Sequence, residues 1–591
     1  MKLALLCLLL ATLAAVVGQA PGADASGSPE DAKLAAYFRG WLDDHFRRHP
    51  FDATRAGDHR YDDRLDDLSP EARAADRATY QKTLAALQKD IDYAKLTRAG
   101  QIDYEIFRHD LTYRLWKDEN EHPFENDPRV YNEYAADSVF LLLTQSSLPR
   151  EQNVRNAAAR IGFVPAVVKA AKAALKHPPR AILETAIRQN RGSIGFYEGG
   201  IFAIAGETPQ LSPLAGPARA AAAALKDYQE FLEKEALPRA TGDWRLGKDK
   251  FYRKIDLELD AGLTADEVLA EAEREADRVE REMVVIARQL WSTVFPGKPV
   301  PPDDPPGRRD LVRGVLAELG KDHGRPEHLV EDARATVERI KAFIREKDIL
   351  RLPDPDRCRV IQMPEFQWGN SVAYLNPAPP LDPAAESMYA VSPPPRDWDR
   401  TKVESYLAEY NRPMLQILTI HEAYPGHYVQ LDYSNRYPSL IRKVLYNGTF
   451  AEGWAVYTEQ MMLDQGYGSG DLSLRLHQLK FYLRTVVNAI LDHKMHCSGM
   501  TDDEVMDLLV NRAFQSEGEA RLKIIRAKQS STQLSTYFVG RTAMYRLRQA
   551  VQRELGDKFE LGRYHEAVLA NGTPPVKYLP ELVRERLKQP R

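Results

Sequence analysis

Hydrophobic residues recur at helical spacing along most of the 591-residue chain. The run EVLAEAEREADRVEREMVVIARQLW places apolar side chains three and four positions apart, as on one face of an amphipathic helix. Capping boxes at Thr264-Ala-Asp-Glu and Thr501-Asp-Asp-Glu precede two helix-patterned runs, and Ser69 followed by Pro70 is typical of a helix N-terminus. The pattern therefore predicts a mainly α-helical protein.

One region departs from this pattern. Residues 372–395, VAYLNPAPPLDPAAESMYAVSPPP, contain two short extended segments around a proline-rich turn. They indicate either an irregular surface loop or an edge strand beside a cleft, which could pair with an extended peptide. We expect a small β element at about 372–392, with Tyr374 and Tyr389 as candidate substrate-binding residues.

The first 25 residues predict a signal peptide. Lys2 precedes the apolar run LALLCLLLATLAAVV, and Ala23-Asp24-Ala25 fits a small-x-small cleavage site. The alternative is an uncleaved membrane anchor. We expect an exported protein, periplasmic or extracellular. A boundary near 250 divides the remainder into an N-terminal helical half, 26–250, and a C-terminal half, 251–591, which holds the candidate chemistry.

Composition argues against two kinds of partner. The net charge is −4, so no basic excess indicates a nucleic acid. After the signal peptide no apolar run reaches about 18 residues, so no further membrane span is expected. Two cysteines remain, Cys358 and Cys497, and their spacing does not decide whether they pair.

The segment HEAYPGH, residues 421–427, is close to the zinc-protease motif H-E-x-x-H but is two residues longer. On a regular helix, side chains six positions apart diverge by about 120°. Pro425 cannot donate to the carbonyl of His421 and crowds it, so the helix must loosen there, and Gly426 tolerates an irregular backbone. A bulge at this point could rotate His427 back towards His421.

A catalytic zinc site needs a third protein ligand, because zinc normally takes three and leaves one position open. Glu452 follows His427 by 25 residues and lies among Phe450, Trp454 and other apolar residues. A buried acid is costly unless it is paired or bound to metal, so Glu452 is the candidate ligand. Glu459, two turns further on the same face, is the competing one.

Together, HEAYPGH and the later EGWAVYTE resemble the bacterial family called domain of unknown function 885, whose members carry HExxPGH and EGWAxYxE. The resemblance covers most of the mature chain and is strongest from 370 to 550. That family is placed with the gluzincin metallopeptidases, which include angiotensin-converting enzyme and the thimet oligopeptidase group. The resemblance implies a large helical fold with a deep central cleft, and one zinc ion bound by His421, His427 and Glu452.

Two further segments resemble family motifs. LRTVVNAILDHKMHCSGMT, residues 483–501, aligns Asp492 and His496 with the Asp and His of the family's VDxGxHxxGW region. QSSTQLSTYFVG aligns Tyr537 with the tyrosine of PGQALSYxxG, although Thr532 replaces the family's glycine. On their chemistry, Tyr537 and His496 are candidate donors to an oxyanion, and Asp492 is a candidate substrate-binding residue.

These observations favour an exported zinc metallopeptidase that acts on short peptides, with Glu422 as the general base that takes the proton of the attacking water. An oligopeptidase or an exopeptidase is expected. One alternative is a zinc amidase or esterase acting on a small molecule or a cell-wall fragment. Another is a metal-free helical binding protein, which would not need Glu422. Oligomeric state and the role of the N-terminal half stay open, apart from the expectation that this half forms the opposite cleft wall.

Overall fold

A computed structural model of the chain describes residues 27–363, 373–395 and 398–590. The predicted signal peptide, 1–25, lies outside the described residues, as does Val372 at the start of the predicted β element. The described part is mainly α-helical with one small sheet, as the hydrophobic pattern predicts.

The helices of the N-terminal half are α1 Pro29–Arg48, α2 Pro50–Ala56, α3 Pro70–Asp90, α4 Arg98–Asn120, α5 Pro123–Asn126, α6 Arg129–Asn132, α7 Ser138–Gln145, α8 Arg150–Ile161, α9 Val164–Ala174, α10 Arg180–Gly195, α11 Ile201–Ala205 and α12 Leu211–Phe231.

Those of the C-terminal half are α13 Lys248–Leu259, α14 Ala265–Val294, α15 Pro305–Leu319, α16 Leu329–Glu346, α17 Arg400–Glu409, α18 Arg412–Glu422, α19 His427–Arg436, α20 Leu440–Val444, α21 Gly448–Asp464, α22 Leu472–Cys497, α23 Asp502–Asp507, α24 Glu517–Gln529, α25 Thr536–Leu555, α26 Leu561–Leu569 and α27 Leu579–Lys588.

Short 3₁₀ and π turns join or extend these helices at His59–Tyr61, Tyr93–Lys95, Glu133–Asp137, Phe196–Gly200, Leu232–Ala236, Leu237–Arg239, Pro326–His328, Leu508–Arg512, Gln533–Ser535, Gly556–Lys558 and Val576–Tyr578.

The capping signals of the sequence mark true helix starts. The Thr264 and Thr501 side chains accept from the backbone N–H three residues on, and each partner glutamate completes the box. Ser69 caps α3 in the same way, with Pro70 in its first turn. These caps satisfy amide groups that a helix start otherwise leaves unpaired.

The sheet has three strands, β1 Cys358–Gln362, β2 Ala373–Asn376 and β3 Ser387–Val391, in the order β1-β3-β2. β3 pairs parallel with β1 and antiparallel with β2, with Leu375 opposite Tyr389. The two strands within 372–392 were predicted from the sequence, whereas β1 was not. The antiparallel pair surrounds the proline-rich turn, as predicted, and β2 is an edge strand of this sheet.

The two halves of the chain pack against each other. Buried residues of α1 and α4 share a hydrophobic core with Ile441 and Tyr578 from the C-terminal half. The boundary near 250 stays a prediction; the connection over residues 240–247 precedes α13. Cys358 and Cys497 are both free thiols. Among the helices of the described ranges, none is both long and apolar enough to cross a bilayer.

Helices α21 and α25 approach each other through two glycines. A β-carbon on Gly540 would lie 1.9 Å from the carbonyl oxygen of Thr449, and one on Gly453 would lie 2.4 Å from the Gly540 backbone. No side chain fits between the two helices at this crossing. The close contact fixes α25, which begins with Thr536 and Tyr537, against α21, which carries Glu452.

Candidate metal centre

The helix carrying the first histidine ends within the motif. α18 stops at Glu422 and α19 begins at His427, so the four residues between them form a tight turn instead of the expected bulge. The physical reason is Pro425, which has no N–H to donate and whose ring excludes a continuing helix. Trp454 donates to the Pro425 carbonyl at 2.8 Å and holds the turn against α21.

Gly426 is required by close packing. Its N–H donates to the Ile420 carbonyl at 3.0 Å, and a β-carbon there would lie 1.9 Å from the carbonyl oxygen of His421. The turn therefore folds directly onto the end of α18. This brings His427 to the same side as His421, with ring centroids 4.8 Å apart and planes at 89°.

Glu452 on α21 meets both histidines. Its Oε2 lies 3.3 Å from His427 Nε2 and 3.7 Å from His421 Nε2. One potential ligand atom from each of the three residues lies within 4.8 Å of the others. Asn447 caps α21 through a bond from the Phe450 N–H, which starts the helix one turn before Glu452. The structure thus brings together the three residues that the sequence analysis selected, and their role as ligands stays a prediction.

The chemistry of this group fits a zinc ion. Two imidazole nitrogens and one carboxylate oxygen are the donor set of open, catalytic zinc sites. Glu452 Oε2 is buried and makes no well-aligned hydrogen bond, an arrangement that is unfavourable unless a cation binds there.

Glu459 lies behind the site and not in it. Its Oε1 is 2.7 Å from Nδ1 of His421, the ring nitrogen on the opposite side from the Glu452 contact, and the side chain is fully buried. A carboxylate on this outer nitrogen fixes the tautomer that leaves Nε2 free to bind a metal. From the sequence Glu459 is a competing ligand; in the structure it contacts the outer nitrogen of a candidate ligand instead.

Glu422 projects from the last turn of α18 towards the edge strand. Its Oε2 accepts a hydrogen bond from the Leu375 N–H of β2 at 3.0 Å. The side chain lines the same cavity as the three candidate ligands. Its carboxylate is therefore held by the strand and faces the space where a ligand would lie.

Electrostatics within the site couple these groups. Burial, followed by the neighbouring His427, lowers the pKa of His421 to about 3. Burial also raises the pKa of Glu422 to about 7, with a further increase from the nearby Glu452. For Glu452 burial acts upwards but His427 and His421 outweigh it, so its pKa is lowered. Burial disfavours the charged form of His427, but Glu452 raises its pKa overall.

A cavity of about 920 Å³ contains the site and is walled by both halves of the chain. Its size lies in the range of small-molecule and peptide pockets. The C-terminal wall carries the candidate ligands, Glu422, β2 and Tyr537, and the N-terminal wall comes from α1, α2, α4 and α7. On that side His45 Nε2 lies 3.1 Å from Asp52. The N-terminal half thus forms the opposite wall of the cleft.

Tyr537 lines this cavity at the start of α25. Its oxygen accepts from Arg526 at 3.0 Å and from Gln533 at 3.4 Å. The hydroxyl is also close enough to Glu452 to help lower the pKa of that carboxyl. The structure therefore places Tyr537 beside the candidate ligands.

The expectation that His496 acts at the cleft is wrong. His496 lies on α22 and is 2% exposed, with its ring between Trp244 and Phe251. Its Nδ1 accepts from the Leu246 N–H at 3.4 Å, and its Nε2 lies 3.1 Å from the Ala527 carbonyl. Burial lowers its pKa to about 4. Both nitrogens bond to the backbone, so His496 packs two segments together.

Asp492 is likewise not a substrate contact. It is fully buried and accepts from the Thr532 N–H at 3.0 Å and from the Ser535 hydroxyl at 2.8 Å. Thr532 has φ +67°, a left-handed conformation that favours glycine. Asp492 therefore holds the turn that leads into α25, and so supports Tyr537 indirectly.

The two tyrosines of the sheet lie in different surroundings. Tyr374, on edge strand β2, lines the cavity as expected. Tyr389, on the central strand, is fully buried, and its hydroxyl lies 3.1 Å from the Thr419 hydroxyl. The expectation that Tyr389 binds substrate is wrong, because alternate residues of a strand face opposite sides and this one faces α18.

Sequence reasoning missed several residues of the site. Arg526, which donates to Tyr537, and the N-terminal wall residues carry no local motif and are brought in only by tertiary packing. Lys443, which also lines the cavity, lies in an ordinary amphipathic segment. Glu459 was considered from the sequence, because its seven-residue spacing from Glu452 puts both side chains on one helix face; only its position behind His421 was not predicted.

The model of a family described as a bacterial protein of unknown function, DUF885, matches residues 50–583. The chain belongs to this family. No curated protein matches the chain.

Two solved structures are similar to this DUF885 chain. One is a candidate lipoprotein of unknown function from Shewanella oneidensis, with a TM-score of 0.78 and 30% identity over 93% of this chain and 99% of that one. The other is a candidate lipoprotein from Colwellia psychrerythraea, with a TM-score of 0.75 and 18% identity over 95% and 99% of the two chains. The second shows the shared fold alone.

Proposed function

We propose that this DUF885 protein is a zinc-dependent peptidase that hydrolyses short peptides. The observation that carries the proposal is the convergence of His421, His427 and Glu452 within 4.8 Å, beside Glu422 and inside one cavity. A binding protein without catalysis would not need Glu422, a second carboxylate that faces the same space.

His421, His427 and Glu452 would hold the metal, with Glu459 keeping the His421 ring in place. When bound, zinc would lower the pKa of a water molecule and polarise the carbonyl of the scissile bond. Glu422 would accept a proton at Oε1, because its Oε2 is already bonded to the Leu375 N–H. It would then release that proton to the leaving amine.

Two further features support a peptide as the substrate. The edge strand β2 borders the cavity and could pair with an extended backbone, a recurrent mode of peptide recognition. Tyr537 can donate a hydrogen bond to the oxygen on which negative charge develops. The cavity volume of about 920 Å³ suits a short peptide better than a folded protein.

We place the protein outside the cytoplasm. The predicted signal peptide supports export, and the similar structure from Shewanella oneidensis is of a candidate lipoprotein, which supports a location in the cell envelope. Fractionation of cells that express the full chain tests this: recovery in the cytoplasmic fraction contradicts it.

The decisive experiment combines metal analysis with a mass-spectrometric screen of a mixed peptide library. We expect one zinc per chain and defined cleavage products that disappear with a chelator. Glu422→Gln should keep its zinc and lose about 10²-fold or more in turnover, since general-base catalysis typically contributes 10²–10⁴. Glu346→Gln, at an exposed position on α16, is the matched control. Full activity in zinc-loaded Glu422→Gln would exclude this role.

A further inference from the structure

Lys443 stands out among the charged residues of the cavity wall because no residue in the described part of the chain is its counter-ion. Arg55 pairs with Glu133 at 3.2 Å and Arg114 with Asp110 at 2.7 Å. Within the described ranges of the chain, the Lys443 ammonium makes no ion pair, and burial alone lowers its pKa. An unpaired cation in a partly dehydrated wall is unfavourable until an anion arrives.

The backbone around Lys443 is well anchored. The neighbouring Arg442 is fully buried and donates to Asp103 and to the Ala99 carbonyl. Downstream, the Asn447 N–H donates to the Thr573 carbonyl at 3.0 Å. The same connection leads directly into α21 and Glu452, nine residues on. The backbone that carries Lys443 is therefore fixed in position relative to Glu452, which that of a lysine on a loose surface segment would not be.

The surroundings of Lys443 suit the end of a bound chain. It lies where the main cavity meets a smaller one of about 450 Å³, and the proline-rich segment 378–380 borders both. Tyr446, three residues on, lines the main cavity with 60% of its surface exposed. An aromatic ring in the same cavity as an ammonium group can cover the apolar part of a ligand while the lysine binds its charged end.

We propose that Lys443 binds the C-terminal α-carboxylate of the substrate, so that this enzyme prefers short peptides with a free C-terminus. The inference rests on the proposed peptidase function and adds the substrate class and polarity. The ammonium offers three donors and a point charge, which matches a carboxylate without requiring a fixed orientation. A short peptide enclosed in the cavity always brings one such group.

The test uses one peptide from the library screen in three forms: the free acid, the C-terminal amide, and the amide with glutamate as its last residue. For the wild-type zinc enzyme we expect kcat/KM to be about 10- to 100-fold higher for the acid than for the simple amide, the range for a hydrogen bond to a charged group. Lys443→Gln should reduce this ratio to near one, because it lowers kcat/KM for the free acid and leaves that for the amide unchanged. Lys443→Arg should restore part of it.

Lys82→Gln, an exposed lysine on α3, is the control and should keep the wild-type ratio. An equal rate for acid and amide in the wild type, or an unchanged ratio in Lys443→Gln, overturns the inference while leaving peptidase activity intact. If the amide ending in glutamate is cleaved as well as the acid, and this depends on Lys443, the enzyme reads an acidic side chain and the C-terminal assignment is wrong. Absence of cleavage of every form by the wild type overturns the proposed function as well.

Discussion

At the scale of single residues, Glu459 fixes how the first histidine faces the site. Its bond to His421 Nδ1 is 2.7 Å long and fully buried, and burial holds its own pKa well above the ordinary value. Outer carboxylates of this kind typically contribute 10- to 100-fold to metal affinity. We expect Glu459→Gln to weaken zinc binding by about tenfold, because the amide keeps one acceptor oxygen but cannot become a carboxylate when a cation binds to the other ring nitrogen of His421.

Competition against a chromogenic chelator measures this affinity. Asp464→Asn, on the same helix but ion-paired with Arg475 at the surface, is the matched control and should bind zinc as the wild type does. Equal affinity in Glu459→Gln would show that the bond is structural only.

Tyr537 is the second residue whose role can be isolated. Tyr537→Phe removes the hydroxyl near Glu452 and little volume, so the fold should be unchanged. Loss of one donor to an oxyanion costs about 10²–10³ in turnover, with a smaller effect on ground-state binding. We therefore expect kcat to fall with KM nearly constant. Tyr545→Phe, eight residues on and packed against Tyr457, serves as the control. A change in KM alone would make Tyr537 a binding residue.

Local motifs predicted some of these residues and not others, for a physical reason. His421, His427 and Glu452 could be selected from the sequence, because a metal site would need fixed spacings around a helix break. For His496 and Tyr389 the sequence did not predict the position. Both residue types form hydrogen bonds, and only their burial shows that their partners lie in the core. Spacing reports which face of an element a residue shares, whereas the identity of the face that lines the cavity depends on tertiary packing.

At the scale of elements, the crossing of α21 and α25 sets the distance between Glu452 and Tyr537. We expect Gly540→Ala to push the helices apart, since its β-carbon would lie 1.9 Å from the Thr449 oxygen. Overpacking of this kind costs about 1–3 kcal/mol of unfolding free energy, which denaturant titration measures. Turnover should fall too, because Tyr537 moves with its helix.

Gly192→Ala on α10 is the comparison for this variant. Its β-carbon would meet nothing within 4 Å, so removal of a helical glycine there should stabilise the fold by about 0.5–1 kcal/mol. If Gly540→Ala is as stable and active as the wild type, the glycine contact does not determine the site geometry.

Element prediction succeeded where local signals are strong. Helix caps and the proline-rich strand pair were visible in the sequence, but β1 was not. Its sequence, CRVIQ, interrupts the apolar–polar alternation at Val360 and Ile361 and contains no fully buried residue. It is a strand because β3 supplies a parallel partner. Likewise, the four-residue turn at 423–426 depends on Trp454 and on the fit of Gly426 against α18, which the motif alone does not determine.

At the scale of the whole molecule, polar contacts join the two halves around the cavity. His59, from the turn after α2, lies 2.8 Å from Asp62 and 3.0 Å from Asp382, which follows the proline-rich segment. Ser147 also donates to Asp382, through both its N–H and its hydroxyl. These contacts hold the N-terminal wall against the segment that borders β2. No local pattern predicts them, since His59 and Asp382 are 323 residues apart.

This junction makes stability depend on pH in a defined direction. Burial disfavours the charged imidazolium, but the bonds to Asp62 and Asp382 outweigh it and raise the pKa of His59 to about 9, from 6.5. A group whose pKa is raised by folding stabilises the fold fully below its unfolded value and loses that contribution as the pH rises through the folded value. We expect the unfolding free energy to fall by about 1–3 kcal/mol between pH 6.5 and 9 through this group.

Denaturant titrations at intervals across this pH range measure this change. They compare the wild type with His59→Gln and with His177→Gln, a control at an exposed site. His59→Gln should be less stable than the wild type near pH 6 and converge with it near pH 9, while His177→Gln follows the wild type throughout. A constant difference between His59→Gln and the wild type at every pH would mean that His59 acts as a neutral hydrogen-bonding group, and that charge does not hold the two walls of the cavity together.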